Sequence, residues 1–241
     1  MEQLSKSKSR IDSFLVNPSK ALWTLAIPIM FGMGIHTLYN LIDMIFIGRL
    51  GGSAIAGVAF NMPIFFLMLG LTMGLGSGVT ASIARYIGEK NKKNADNSAE
   101  HALLMACFIS FFFTIAGVFY GKDLLILFGA EGEILSLGYD YLSCIVLGLP
   151  FMVFSGFFRS ILAGEGDMKV PMMIAGLGTV LNLILDPIFI FELENYWNIG
   201  FGMGVRGAAF ATVISQLIVF IIFLYMLFVK KHSYITFNFK D

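Results

Sequence analysis

The sequence predicts an all-α membrane protein, a bundle of six transmembrane helices, on three observations. Hydrophobic residues make up 57% of its 241 residues and charged residues only 13%, against roughly 25% charged in soluble domains. Apolar windows of about 20 residues, the length that crosses a bilayer, recur over roughly 20–48, 54–83, 101–121, 138–163, 170–192 and 206–229. Part of this pattern also occurs twice in the same direction, as an internal parallel repeat of one helical hairpin.

The first helix defines the repeat. Ile27 to Ile47, IPIMFGMGIHTLYNLIDMIFI, returns 143 residues later as Val170 to Ile190, VPMMIAGLGTVLNLILDPIFI. Pro28 aligns with Pro171, Leu38 with Leu181, Asp43 with Asp186, and Ile45-Phe46-Ile47 with Ile188-Phe189-Ile190. Each Asp stands at the same depth, about 22 Å of helix beyond its proline. With twelve extra residues in the second copy, Gly52-Ser53-Ala54-Ile55-Ala56-Gly57-Val58 aligns with Gly207-Ala208-Ala209-Phe210-Ala211-Thr212-Val213. The repeated unit is therefore the hairpin of helices one and two, matched by five and six.

The remaining elements follow in order. Residues 1–19 form a charged, Ser-rich tail without a cleavable apolar leader, so the first helix does the targeting. The polar run RYIGEKNKKNADNSAEH after helix two reads as a solvated connector. Leu124 to Phe128 is too short to cross and reads as an interfacial turn of helix. The GEGD stretch, Gly164 to Asp167, reads as a tight turn between helices four and five, and 230–241 as a tail or a linker to a further lobe. Lys and Arg divide thirteen to three between alternate loops, so the positive-inside rule puts both ends of the six-helix lobe, 20–229, in the cytoplasm of a cell-membrane protein. Gly-rich stretches suit close helix packing in lipid, and the 14 Met and 25 Phe are core, lipid-facing or ligand-holding side chains. A net charge of zero offers no basic surface for nucleic acid. Cys107 and Cys144 lie inside apolar segments without disulfide or metal spacing.

The chemistry centres on Asp43 and Asp186. An ionised Asp within a span costs at least about 2.5–3.5 kcal/mol and marks a functional site by default. Tyr39 and Asn40 precede Asp43 on its own helix face, His36 lies one turn earlier, Asn182 stands one turn before Asp186, and Thr212 supplies a hydroxyl from the partner helix of the hairpin. Two carboxylates, an amide oxygen and a hydroxyl form an all-oxygen set that suits a hard cation such as Na⁺. The same set suits a proton, since buried, neighbouring acids retain protons. Pro187, directly after Asp186, is expected to kink its helix, and Pro28 and Pro171 are further candidate kinks. No organic cofactor is called for.

An enzyme reading is disfavoured. Tyr139-Asp140 and Gly164-Glu165-Gly166-Asp167 resemble the YD and GxGD pair of intramembrane aspartyl proteases, but the topology places the two acids at opposite ends of one helix, a bilayer apart. Walker A, HExxH and dinucleotide-binding patterns are absent from the sequence.

Taken together, LYNLIDMIFIGRLG, FRSILAGEGD, LNLILDPIFI and GVRGAAFATVISQ resemble the N-terminal half of multidrug and toxic compound extrusion (MATE) transporters, most closely their prokaryotic DinF-like branch. The resemblance implies a Na⁺- or H⁺-coupled antiporter of organic, often cationic, drugs. Its N-terminal lobe would carry the ion ligands Asp43, Asn182, Asp186 and Thr212, with Tyr39, Asn40 and Tyr141 lining the cavity. His36 replaces a family Gln, and Gly156 and Arg159 replace family Asn residues, changing the wall of that cavity. The family pairs two six-helix lobes, so the resemblance also implies a second lobe or a second copy as partner. Two rivals accompany this reading, a flippase of lipid-linked sugars and a non-transporting lobe that acts as a structural partner.

Overall fold

The computed structural model describes residues 18–192, 200–230 and 232–237, and within the first helix the side chains of Pro28, His36, Tyr39 and Asn40 lie outside the described residues. The chain is helical almost throughout: α1 Pro18–Gly48, α2 Gly52–Ala59, α3 Met62–Gly88, α4 Lys92–Leu127, α5 Gly132–Gly164, α6 Lys169–Ile190 and α7 Val205–Leu224, the last continued by a π-turn over Tyr225–Val229. Five segments are long and apolar enough to cross a membrane, with α2 and α3 counting as one, Gly52–Gly88. At 31 residues, α1 is long enough as well, about 46 Å. The turns at 89–91 and 165–168 and residues 232–237 share the end richer in charge; the turns at 49–51 and 128–131 and residues 200–204 form the far end.

Three elements differ from expectation. The polar run after the second span is mostly helix: the connector shrinks to Glu89–Asn91, and α4 begins at Lys92. Asn91 caps it, its side chain accepting from the Asn94 N–H at 3.2 Å. Ala95, Ala99, Ala102 and Ala106 then bury one stripe against the bundle, so the extension is amphipathic rather than solvated on all sides. The apolar piece at Leu124–Phe128 is the last turn of the same helix rather than a separate interfacial one. The second span is broken at Phe60–Asn61, because Pro63 has no N–H for the Ala59 carbonyl. The Asn61 amide bridges the break, donating to Gly57 O at 2.9 Å and to Gly138 O at 3.1 Å.

Helix α5 is the axis, packed against α2, α3, α4 and α7, with Phe157, Phe158, Ile161 and Leu162 fully buried. In lipid the hydrophobic effect does not drive helix pairing, so close approach and dispersion must. The crossing of α2 and α5 shows how: a Cβ on Gly57 would lie 2.9 Å from the Gly138 nitrogen.

The α6–α7 hairpin sets the register of the site. Returning from the far end, the N–H groups of Phe201, Gly202, Met203 and Gly204 donate to the carbonyls of Ile188, Phe191, Phe189 and Ile190, satisfying the last turn of α6 where water is scarce. Gly202 and Gly204 supply the positive φ values, 60° and 57°. A Cβ on Gly207 would meet the Phe189 carbonyl oxygen at 2.3 Å, so only glycine permits this seating, which draws the first turns of α7 onto the last turns of α6.

Candidate ion site

Three helices converge near the far end. Asp43 stands five residues before the end of α1 and Asp186 four before the end of α6, so the repeated sequence does deliver two acids at one depth. Their carboxyls face one another within hydrogen-bonding contact. Asp186 is fully buried and Asn182 is 3% exposed. The Asn182 amide donates to Asp186 Oδ1 at 3.2 Å and to Thr212 Oγ1, across the hairpin on α7, at 3.3 Å. Asp43, Asn182, Asp186 and Thr212 thus form one cluster.

That cluster is short of donors. Asp43 Oδ1, Asp186 Oδ2 and Asn182 Oδ1 are buried and accept from no group among the described residues. Two carboxylates face to face repel unless a proton or a cation lies between them. A shared proton fits the amide as it stands, with Nδ2 turned toward Asp186 and Thr212. A hard monovalent cation fits once that amide is turned over to present Oδ1, giving the oxygen-only donor set such ions prefer. Among the described residues no group of three or more His, Cys, Asp or Glu could hold a transition metal.

The other sequence candidates lie elsewhere or outside the description. Tyr141 is buried, with its ring edge-on to Phe65. Arg159 projects from α5 near the opposite, charged end. Pro187 lies inside α6, which continues to Ile190, whereas Pro171 sits in its first turn, where the missing N–H costs nothing and no kink is required. His36, Tyr39, Asn40 and Pro28 are on α1, with side chains outside the described residues. Asp140 and Asp167, the acids of the rejected protease pattern, lie at opposite ends of α5. Asp140 is paired with Arg206 at 2.7 Å and Asp167 with His232 at 2.9 Å.

A second polar cluster escaped the sequence reading. After α7 the segment Ser233–Thr236 folds back across the charged end and is held by carboxylates. Glu165 accepts from the Ser233 hydroxyl and from the N–H groups of Tyr234 and Ile235, both at 3.1 Å. Asp96 accepts from the Thr236 N–H at 3.0 Å and hydroxyl at 2.8 Å. Lys92 bonds Asp96, Tyr234 O and Thr236, each at 3.0 Å. The only sequence signal was that GEGD carries more acid than a tight turn needs.

An all-helical membrane lobe with an intramembrane acid pair is thus the class of protein that fold and site define. The MatE family model matches residues 28–188, and the chain belongs to that family. It is similar to a solved multidrug resistance MATE family transporter of the MOP superfamily in an outward-facing conformation, with 38% identity and a TM-score of 0.85 over 93% of this chain and 48% of that one. Among curated relatives, it is 31% identical to the probable multidrug resistance protein NorM of Thermotoga maritima, over 88% of this chain and 45% of the relative. It is 29% identical to the FAD transporter of Shewanella oneidensis, over 88% and 46%. The chain spans about half the length of the curated relatives it matches.

Proposed function

We propose that this chain is the ion-coupling lobe of a secondary antiporter that expels organic molecules from the cytoplasm in exchange for H⁺ or Na⁺. It would work with a second six-helix lobe, or a second copy, across a substrate cleft in the cell membrane. The observation that carries the reading is the acid pair with unfilled acceptors at Asp43, Asn182 and Asp186. A site that needs a positive charge to be stable is a site whose occupancy can be linked to a conformational equilibrium. Thr212 and Asn182 tie the pair to α7, so filling or emptying the site changes contacts on α1, α6 and α7 together. The family resemblance of the relatives supports organic substrates, and the excess of Lys and Arg at the charged end supports a cytoplasmic location for that end.

Vesicle efflux provides the test, with the chain assembled with its partner lobe or copy and driven by a pH or Na⁺ gradient. Asp43→Asn and Asp186→Asn are each expected to abolish gradient-driven efflux of a fluorescent dye while the protein still inserts and folds. Gradient-driven transport surviving in either variant would overturn the reading.

A further inference from the structure

We propose that Arg159 is an anion-binding residue on the unpacked face of α5, so that the organic molecule accepted there carries a carboxylate, phosphate or similar acidic group. The inference rests on the transport reading above, deepening it to a substrate class.

The placement follows from the packing of α5. On one side Gly156 and Ser160 pack against α3: a Cβ on Gly156 would meet Thr72 Cγ2 at 2.7 Å, and Thr80 donates to Ser160 O at 2.9 Å. On another, Phe154 and Phe158 pack against Phe220 of α7, with centroids 5.9 and 6.0 Å apart. Successive helical residues turn by about 100°, so Arg159 projects between these sectors, and the wide sector opposite it is filled by buried Phe157 and Ile161. No helix packs closely on the Arg159 face; α6, across the lobe, touches α5 only marginally. Arg159 is exposed on that face of α5.

The charge is unanswered. Among the described residues Arg159 has no ion pair or hydrogen bond, and no charged group perturbs it. The acid pair lies near the far end and Asp140 is already paired with Arg206, whereas Arg159 is about 8 Å of helix from the charged end at Gly164. Ser155, one turn earlier on the same helix, is 2% exposed and its hydroxyl also lacks a partner. An exposed guanidinium within a membrane-spanning helix, with no carboxylate to answer it, is a functional-site candidate whose natural partner is an anion. Its planar fork suits a carboxylate or phosphate better than any neutral group.

Equilibrium dye binding to the full-length protein in nanodiscs of zwitterionic lipid tests this without any gradient. Carboxyfluorescein is the anionic probe and ethidium the cationic one, both read by anisotropy. Arg159→Gln is expected to weaken the anionic dye on the order of ten- to a hundredfold and to leave the cationic dye unchanged or tighter, with Arg159→Lys restoring most of the loss. Repeating the titration with phosphatidylglycerol separates the sources of the anion: competition at the Arg159-dependent site identifies a lipid headgroup, and its absence a soluble organic anion. Equal binding of the anionic dye to the parent protein and to Arg159→Gln would overturn the proposal, the guanidinium then serving only the membrane interface. Because Asp43→Asn is expected to stop transport but not this binding, failure of the antiport reading and failure of this one are separately visible.

Discussion

The lobe holds two sets of buried carboxylates, one at each end, solved in opposite ways. At the charged end Glu165 is 5% and Asp167 6% exposed, yet each meets a donor: Ser233 and two backbone N–H groups for Glu165, His232 for Asp167. Near the far end Asp43 and Asp186 face each other, with one oxygen apiece left without a donor among the described residues. Buried acids that are fully hydrogen-bonded rigidify a structure, while partly satisfied ones leave it waiting for another component. The contrast separates an anchoring role for the first set from an exchange role for the second, and it can be attacked from either side.

The largest effect is expected where the acceptors are unfilled. Asp186→Asn replaces one of the facing acids with a group that donates, so thermal stability in detergent at neutral pH should stay level or rise, while stabilisation by acid or by added Na⁺ disappears. In the parent protein that stabilisation follows from linkage, since whatever binds the folded pair raises its stability with concentration. A parent protein whose melting temperature ignores both pH and Na⁺ would remove the distinction between the two ends. Next is Glu165→Ala, which strands the hydroxyl of buried Ser233 and the N–H of Tyr234 and leaves the Ile235 N–H only Ser233 Oγ at 3.0 Å. At about 1–3 kcal/mol for each stranded donor, the docked segment should open roughly a hundredfold more often, read as faster amide exchange at Tyr234 and Ile235. Burial also pushes the Glu165 carboxyl above its ordinary value of 4.5, against the hydrogen bonds from Ser233, Tyr234 and Ile235 that lower it, so the folded lobe binds that proton more tightly than the unfolded chain. The Glu165 contribution to the stability of the lobe should therefore be present below about pH 4.5 and be lost as pH climbs through the raised value; a melting temperature whose pH dependence is the same in Glu165→Gln would contradict this.

How much of this was legible in the sequence depended on whether the signal was local. Six crossings and an acid pair at one depth were visible, because apolar length and proline-to-aspartate spacing fix axial position without tertiary knowledge. Rotational position was visible only in part: the one-turn spacing of Asn182 and Asp186 put them on a common face, but the contact with Thr212 depends on how Gly202, Gly204 and Gly207 seat α7 on α6. The extension of α4 was missed because its buried stripe is alanine, which scores as neither apolar span nor polar loop. The docked segment was missed for a different reason. Its partners, Glu165 and Asp96, are 68 and 140 residues away from Ser233 and Thr236, and no periodicity connects a tail to a turn.

The smallest expected effect tests whether the anchored end is one unit or several. Lys92 lies at the start of α4, 4.6 Å over the Tyr234 ring, with its side chain 39% and that of Asp96 19% exposed. Such a half-solvated pair contributes about 1 kcal/mol at most. Lys92→Ala leaves Asp96 still accepting from Thr236 and leaves Glu165 untouched, so exchange should quicken about fivefold at Thr236 and hardly at all at Tyr234 and Ile235. That gradient is what independent carboxylate anchors produce. If all three amides quicken equally, the segment releases as a single cooperative latch, and the contrast between the two ends becomes one of whole elements rather than of individual acids.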